Sequence, residues 1–268
     1  MKKNFNSYFF LFLLFILTLL FEGLYYHYYY KISLIFEIIP FKNQSGYNSF
    51  IWNENGIVEI LQSIFLLFSI FLWFLFMKNN KKNIKDQKIF IYLYFLGLSY
   101  FFFEEISWGQ HIFNWETPKF ISDINQQNET NFHNTSNLLN ELPRHLLFIW
   151  CSFSFLLLRV LSKYNYLKSI QYFILPSENL KKISFVILFF YIPNFIVDRF
   201  DLYPGHPAAN PTDTTINTIL DIITFNFIRL SELHELLYCY YILVHSYYLN
   251  KIKDIKLKTS LDRNSKTK

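Results

Sequence analysis

Long apolar runs separated by short polar segments dominate the chain, and their spacing is the first guide to its fold. Six runs approach the ~20 residues that a helix needs to cross the hydrocarbon core of a bilayer. They cover residues 8–25, 57–77, 89–108, 145–161, 183–197 and 230–249. The fifth run is short and contains Pro193, which should kink or break a helix there. The pattern predicts an all-α fold, a polytopic membrane helix bundle of six transmembrane helices that forms one domain over residues 1–250.

The first apolar run follows Lys2 and Lys3 and therefore also fits a secretory signal peptide. Such a peptide ends in a small-residue cleavage site, whereas the residues that follow this run are FEGLYYHYYY. We therefore expect a retained helix at the N-terminus.

Composition and charge support a membrane location and predict an orientation. Charged residues make up 17% of the chain, against about 25% in an average soluble domain. Segments 1–7, 78–88, 159–182 and 250–268 hold 19 of the 25 Lys and Arg but four of the 20 acids, which is the asymmetry of the positive-inside rule. We predict cytoplasmic termini, a basic cytoplasmic tail at 251–268, and a bacterial cytoplasmic (inner) membrane. The net charge of +5 is then a topological signal, and no nucleic-acid partner is expected.

Ionisable residues collect near the outer ends of the six predicted helices, where structured outer loops are expected. They are Glu22, Glu59, Glu104, Glu105, Arg144, Arg199, Glu232, His234 and Glu235. A charged side chain in hydrocarbon costs about 2.5–3.5 kcal/mol, so these groups are expected to face each other or a water-filled pocket. A plainer interpretation is also open, in which the acids reach interfacial water and the tryptophans form an interfacial belt.

The densest polar stretch runs from the third predicted helix into the loop that follows. Helical spacing predicts that Glu104, Ser107 and His111 share one face with Tyr100. The stretch EEISWGQ and the later stretch ETNFHN contain Glu104, Glu105, Ser107, Trp108, Gly109 and Gln110, then Glu129, Thr130, Asn131, His133 and Asn134. Together they resemble the signature of a family of uncharacterised bacterial multi-pass membrane proteins. The resemblance implies a fold and a membrane location, and it implies no particular activity.

An outward-facing pocket of carboxylates and histidines suits acid–base chemistry, because neighbouring carboxylates in a low dielectric have separated pKa values. The leading hypothesis is a membrane-embedded hydrolase or transferase that acts on a lipid-linked substrate. Glu104 or Glu105 would be the base. His111 or His133 would be the second proton carrier, and Ser107 is an available nucleophile. Whether the protein is an enzyme at all stays open at this point.

The expected substrate contacts belong to several of the predicted helices and to the loop after the third. They are Glu59, Trp108, Gln110, Asn131, Arg144, Arg199, Glu232, His234 and Glu235. The two arginines in this set would hold an anionic head group. The partners are therefore the lipid bilayer and a lipid-linked or small-molecule substrate, while the oligomeric state is not predicted.

No nucleotide-binding loop, flavin fingerprint or haem attachment motif occurs in the sequence, so no cofactor is evident. A divalent metal is an alternative, with histidines such as His111 or His133 and the nearby glutamates as ligands. His234 and Glu235 begin an H-E-x-x-H zinc helix, but Tyr238 occupies the position of the second histidine. The identity of any metal is left open.

Two further classes of function compete with the enzyme. In the first, the protein is a transporter or a ligand- or proton-binding membrane protein, with a polar path along the sixth helix towards His245. In the second, it is a non-catalytic membrane assembly subunit, which needs no pocket.

Overall fold

The described part of the chain is helical. The computed structural model describes residues 2–30, 49–52, 56–79, 88–125, 129–132, 135–161, 180–199, 222–225 and 227–251. These residues contain no strand, which confirms the predicted all-α class. Much of the outer segments 26–56 and 198–229, and nearly all of the basic tail predicted at 251–268, lie outside the described residues.

Each of the six predicted spans corresponds to a helix of at least 18 residues. In chain order the helices are α1 (Lys2–Leu24), α2 (Ser49–Trp52), α3 (Ile57–Asn79), α4 (Lys88–Glu105), α5 (Gln110–Phe113), α6 (Lys119–Ser122), α7 (Asn137–Leu161), α8 (Lys181–Arg199) and α9 (Leu230–Lys251). A π-helical segment, Tyr25–Tyr30, continues α1, and a 3-10 turn, Ser107–Gly109, follows α4. Two stretches, Phe5–Tyr28 and Ile57–Asn79, are long and apolar enough to cross a membrane.

Most helix boundaries lie within a few residues of the predicted ones, and three features differ in a way that matters for the fold. Helix α4 ends at Glu105, three residues before the predicted end at Trp108. Helix α7 begins at Asn137 and includes Pro143, so it starts well before the predicted residue 145. Helix α8 runs through Pro193 without a break, because the loss of one backbone N–H does not end a helix whose other hydrogen bonds remain, and of the predicted kink or break the kink stays a prediction.

One compact unit combines Met1–Leu61 with Phe185–Leu237. In this unit Gly23 of α1 lies against the segment before α9, since a β-carbon built on Gly23 would meet Ile228 Cγ2 at 2.5 Å. Phe190 of α8 packs edge-on against Phe225, with ring centroids 4.8 Å apart. A glycine at position 23 is therefore a packing requirement of this unit.

The other compact unit combines Gln62–Ser184 with Tyr238–Lys268. Its apolar core is built from α3, α4 and α9 through Leu66, Trp73, Phe76, Ile91, Leu98, Cys239, Ile242 and Leu249. The hydroxyls of Ser154 and Tyr241 are 2.6 Å apart and share a hydrogen bond. Asn250 Nδ2 donates to the carbonyl of Leu72 at 2.6 Å. These bonds connect α7 and α3 with α9 inside a largely apolar interior.

Apolar side chains also cover much of the outside of the long helices. Exposed examples are Phe10, Leu11 and Leu14 on α1, Leu67, Phe71 and Phe74 on α3, and Leu93 and Leu96 on α4. A helix that is apolar on its outer face as well as its inner face is typical of membrane proteins or of the core of a large protein.

Candidate functional site

The candidate site is built by residues 106–132, which we call the polar loop and of which 126–128 lie outside the described residues. The loop begins where three successive residues adopt the left-handed backbone region, Ser107 (φ 45°), Trp108 (φ 56°) and Gly109 (φ 93°). A non-glycine residue in this region costs about 1–2 kcal/mol. This turn ends α4, so the prediction that Ser107 and His111 continue the helical face of Glu104 is wrong.

The Glu104 carboxylate anchors both ends of the polar loop. Its Oε1 accepts a hydrogen bond from Trp108 Nε1 at 2.7 Å, and its Oε2 accepts one from the backbone N–H of Phe132 at 2.8 Å. Tyr100 lies one turn earlier on α4, near this carboxylate. Glu104 is buried, and these donors offset part of the cost of removing the carboxylate from water.

Ser107, Glu129 and Asn131 form a buried hydrogen-bonded trio. Ser107 Oγ donates to Glu129 Oε2 at 2.9 Å. Asn131 Nδ2 donates to the same Glu129 oxygen at 2.6 Å and to Ser107 Oγ at 3.2 Å. The trio thus places a serine hydroxyl directly on a carboxylate, with an amide that orients both groups.

Two further amide side chains hold the loop in this shape. Asn125 Nδ2 donates to the carbonyl and to the side-chain oxygen of Asn131 at 2.9 and 2.8 Å, and Asn125 Oδ1 accepts from the N–H of Glu129 at 3.2 Å. Gln110 Oε1 accepts from the N–H of Thr130 at 2.6 Å, and Gln110 Nε2 donates to Thr117 Oγ1 at 2.8 Å. Each amide therefore uses both its donor and its acceptor to join separate parts of the loop.

Aromatic rings lie over the outside of the network. Trp108 stacks on Phe103 with centroids 5.3 Å apart, and it meets Phe132 edge-on at 6.5 Å. Phe113 and Trp115 stack in parallel at 5.8 Å. A β-carbon on Gly109 would lie 3.2 Å from the Phe113 ring, so a glycine here suits both the left-handed turn and the close ring contact.

The polar loop brings together five of the residues predicted for the site. Glu104, Ser107, Trp108, Gln110 and Asn131 belong to one network. Glu105 is half-buried at the end of α4.

Several predicted residues cannot be located in this network. His133 lies outside the described residues, as do the side chains of His111 and Arg199. Arg144 is half-buried on α7, and the hydrogen bonds described above do not include it. The roles of the second proton carriers and of both head-group arginines thus stay predictions.

Glu59, Glu232, His234 and Glu235 belong to the other compact unit. There Arg229 Nε lies 3.5 Å from Glu232 Oε1, and Arg229 Nη1 donates to the carbonyl of Trp52 at 3.4 Å. The His234 ring is 5.7 Å from that of Tyr191. These contacts form a separate polar group at the start of α9.

Sequence reasoning missed the roles of two residues of the network. Glu129 was part of the second motif, and its acidity next to Thr130 and Asn131 was the available signal. Asn125 carried no signal, because an asparagine in an Asn-rich stretch is unremarkable until its hydrogen bonds are known. Among the described residues no group of three or more His, Cys, Asp or Glu is arranged to hold a metal ion.

Comparisons of the chain with protein-family models, with curated proteins and with solved structures give no match. The resemblance to a bacterial membrane family therefore stays a prediction, and the function is argued from the geometry of the polar loop.

Proposed function

We propose that the protein crosses a bacterial inner membrane six times, with both termini in the cytoplasm and the polar loop on the outer side. The support is the presence of six helices of 18 to 25 residues, their exposed apolar faces and the concentration of Lys and Arg in the intervening inner segments. The polar loop then lies at the outer end of α4, where acids outnumber bases.

The proposed activity is that of a hydrolase or transferase that acts on an ester bond of a lipid-linked substrate. The observation that carries this proposal is the 2.9 Å hydrogen bond from Ser107 Oγ to Glu129 Oε2. A serine hydroxyl is a weak nucleophile unless an adjacent base removes its proton. The left-handed backbone at Ser107 adds support, because strained backbone is concentrated at functional sites.

The geometry favours Glu129 as the base in place of Glu104 or Glu105. Both oxygens of Glu104 accept hydrogen bonds from the loop itself, so Glu104 acts as a positioning residue. Glu129 contacts the hydroxyl that would attack. Asn131 binds both partners and holds the carboxylate in place while the proton moves.

The reaction is a conventional two-step ester transfer. Ser107 Oγ forms a bond to the acyl carbon or phosphorus while its proton moves to Glu129, and the bond to the leaving alcohol breaks. The proton on Glu129 then passes to the departing alkoxide. Water or an acceptor alcohol repeats the sequence in reverse and frees Ser107.

Access to the nucleophile requires movement of the loop. Ser107 is 2% exposed, so a substrate reaches Oγ only after the polar loop opens. Trp108, which is attached to Glu104 and stacked on Phe103, lies next to Ser107 in the chain and is the side chain that such an opening displaces. His111, His133, Arg144 and Arg199 keep their predicted roles as proton carriers and head-group contacts in this proposal.

The test is covalent labelling of the purified full chain with an alkyl fluorophosphonate, which forms a stable adduct with activated serines. We expect an adduct on the peptide that contains Ser107, lost in Ser107→Ala and reduced about 100-fold in Glu129→Gln because the base is removed. Ser99→Ala is the matched control, since Ser99 lies on α4, the helix that precedes Ser107, and donates to the carbonyl of Phe95. A folded protein without an adduct at Ser107 would show that the network is a scaffold.

Binding or transfer of a proton is a second candidate function, favoured by His245. This histidine is buried in α9, with its ring 5.6 Å from Trp150 and 6.4 Å from Tyr94. An ionisable group inside a membrane bundle is a functional candidate by default. Proton flux in proteoliposomes, abolished by His245→Leu, is the expected result, and equal flux in the two proteins would reject this candidate.

A further inference from the structure

Part of the polar loop is inverted relative to the surface of a water-soluble protein. Four of its polar side chains, Ser107, Asn125, Glu129 and Asn131, are buried, whereas Asn114, Glu116, Lys119 and Asp123 are exposed. Most of its large apolar side chains are exposed, Phe113 and Phe120 to 72% each, although Ile121 is buried. The other exposed large apolar residues are Ile112, Trp108, Trp115, Ile124 and Phe132. In water the opposite distribution is favoured, and contiguous exposed apolar patches mark interaction surfaces.

The exposed surface of the loop continues the exposed face of α4. Leu93, Leu96 and Phe103 are exposed along that helix. The Phe103 ring stacks on Trp108, which begins the loop, and Trp108 in turn meets Phe132. The apolar surface therefore passes from the helix to both ends of the loop without an intervening charged side chain at these contacts.

The indole N–H groups of the loop are already satisfied inside the protein. Trp108 Nε1 donates to Glu104 and Trp115 Nε1 donates to Thr130. A tryptophan usually lies at the level of the lipid head groups because its N–H needs a polar partner. Because the N–H groups of Trp108 and Trp115 have partners inside the protein, the two indole rings can enter the acyl region without an unsatisfied hydrogen-bond donor.

Helix α6 and the turn after it have two distinct faces. Phe120 and Ile124 are four residues apart, as are Lys119 and Asp123, so the apolar and charged pairs lie on neighbouring faces. All four side chains are exposed. A charged face beside an apolar face suits a segment that lies in the plane of a membrane interface.

Helix α7 carries an exposed apolar stripe of its own. Leu138, Leu142, Leu146 and Ile149 are exposed at intervals of three or four residues, which places them on one stripe of the helix. The stripe begins in the outer turns and continues towards the middle of α7.

We infer that the polar loop is a membrane-interface element whose outer surface, formed by Ile112, Phe113, Trp115, Phe120, Ile124 and Phe132, is seated in the outer leaflet among lipid acyl chains. Its occupant is the bilayer because the apolar surface is continuous with the exposed face of α4 through the contacts of Phe103, Trp108 and Phe132. This inference rests on the proposed membrane location and is independent of the proposed reaction. It implies that a substrate approaches the trio of Ser107, Glu129 and Asn131 from the lipid.

The test measures the depth of single nitroxide labels in the full chain reconstituted in phosphatidylcholine vesicles. The native cysteines Cys151 and Cys239 are buried, so a label attaches at a cysteine introduced on the surface. Phe120→Cys is compared with Asp123→Cys on the charged face of the same element, and Leu96→Cys on α4 reports on the membrane location itself. Collisions with dissolved oxygen and with a water-soluble nickel chelate are measured at each position.

We expect the labels at 120 and 96 to collide frequently with oxygen and rarely with the nickel chelate. The label at 123 should collide frequently with the chelate. Lipid contact at 96 with chelate contact at 120 would overturn the interface inference and leave the membrane location intact. Chelate contact at both 96 and 120 would overturn the membrane location. Dipolar broadening between labels at 120 would identify a second copy of the chain as the occupant and would also overturn the inference.

Discussion

The polar loop and the helical interior of its own unit satisfy their polar side chains in different ways. Three of the helical serines, Ser69, Ser99 and Ser246, donate to the carbonyl four residues earlier at 2.6, 2.8 and 2.9 Å. In the loop, Ser107 reaches Glu129, 22 residues away, at 2.9 Å. The first kind of bond needs only its own helix, whereas the second exists only if the whole loop is correctly folded.

This difference predicts where substitutions are harmful. A hydroxyl that bonds within its helix adds little to the fold, because the carbonyl it contacts already accepts a helical hydrogen bond. An amide or carboxylate in the loop has partners that are buried and have no substitute, so its loss leaves them unsatisfied.

The largest effect is expected for Asn131→Ala. Asn131 contacts Ser107, Glu129 and Asn125, and its removal leaves several buried polar atoms without partners, which should lower the free energy of unfolding by about 3 kcal/mol. Denaturation of the purified protein in detergent measures the change. Ser246→Ala is the buried helical control, with an expected loss within about 1 kcal/mol. Equal losses would contradict the distinction between the two regions.

Gly109→Ala tests the turn at which α4 becomes the polar loop. A β-carbon at φ 93° is strained and would lie 3.2 Å from Phe113, so the expected destabilisation is about 2 kcal/mol. The matched control is Gly97→Ala, because a β-carbon at Gly97 meets nothing within 4 Å. That control should be neutral or stabilise α4 by up to about 1 kcal/mol, as alanine favours helix. The midpoint of thermal denaturation should fall for Gly109→Ala and stay unchanged or rise for Gly97→Ala.

Glu104→Gln compares the buried Glu104, whose carboxylate joins both ends of the polar loop, with Glu105, the next residue in the chain. The new amide NH₂ would face either the N–H of Trp108 or that of Phe132, so one donor–donor contact is unavoidable. We therefore expect the free energy of unfolding to fall by about 1.5 kcal/mol. Glu105→Gln is the control at a half-buried position and should have a smaller effect. Indole fluorescence of Trp108 follows the same change locally, and an unchanged spectrum would argue against the Glu104 contact.

The smallest effect is expected for Ser99→Ala. Its hydroxyl donates to the carbonyl of Phe95 within α4, so the free energy of unfolding should fall by no more than about 0.5 kcal/mol. Ser107→Ala removes a hydroxyl with two loop partners and should cost more. A larger loss for Ser99→Ala than for Ser107→Ala would reverse the ranking of the two regions.

Sequence reasoning pointed to the stretch that contains the hydrogen-bonded network, but it grouped the residues by the wrong geometry. It grouped Glu104 and Ser107 by helical spacing, although α4 ends at Glu105. The two residues nevertheless belong to one network because Glu129, Asn131 and Phe132 return to them from the far end of the loop. A left-handed Ser107 has no signature in hydrophobic periodicity, so the turn was not predictable from the pattern.

The sequence alone determined the helical class, the positions of the six long helices and the segregation of basic residues, because these depend on local composition and on periodic hydrogen bonds within each helix. The tertiary structure decided which polar side chains pair in the loop and which apolar rings face outward. Those choices depend on contacts between residues 20 to 28 positions apart, and no local rule specifies them. The loop folds only when its buried carboxylates, amides and hydroxyls form their hydrogen bonds with one another at the same time.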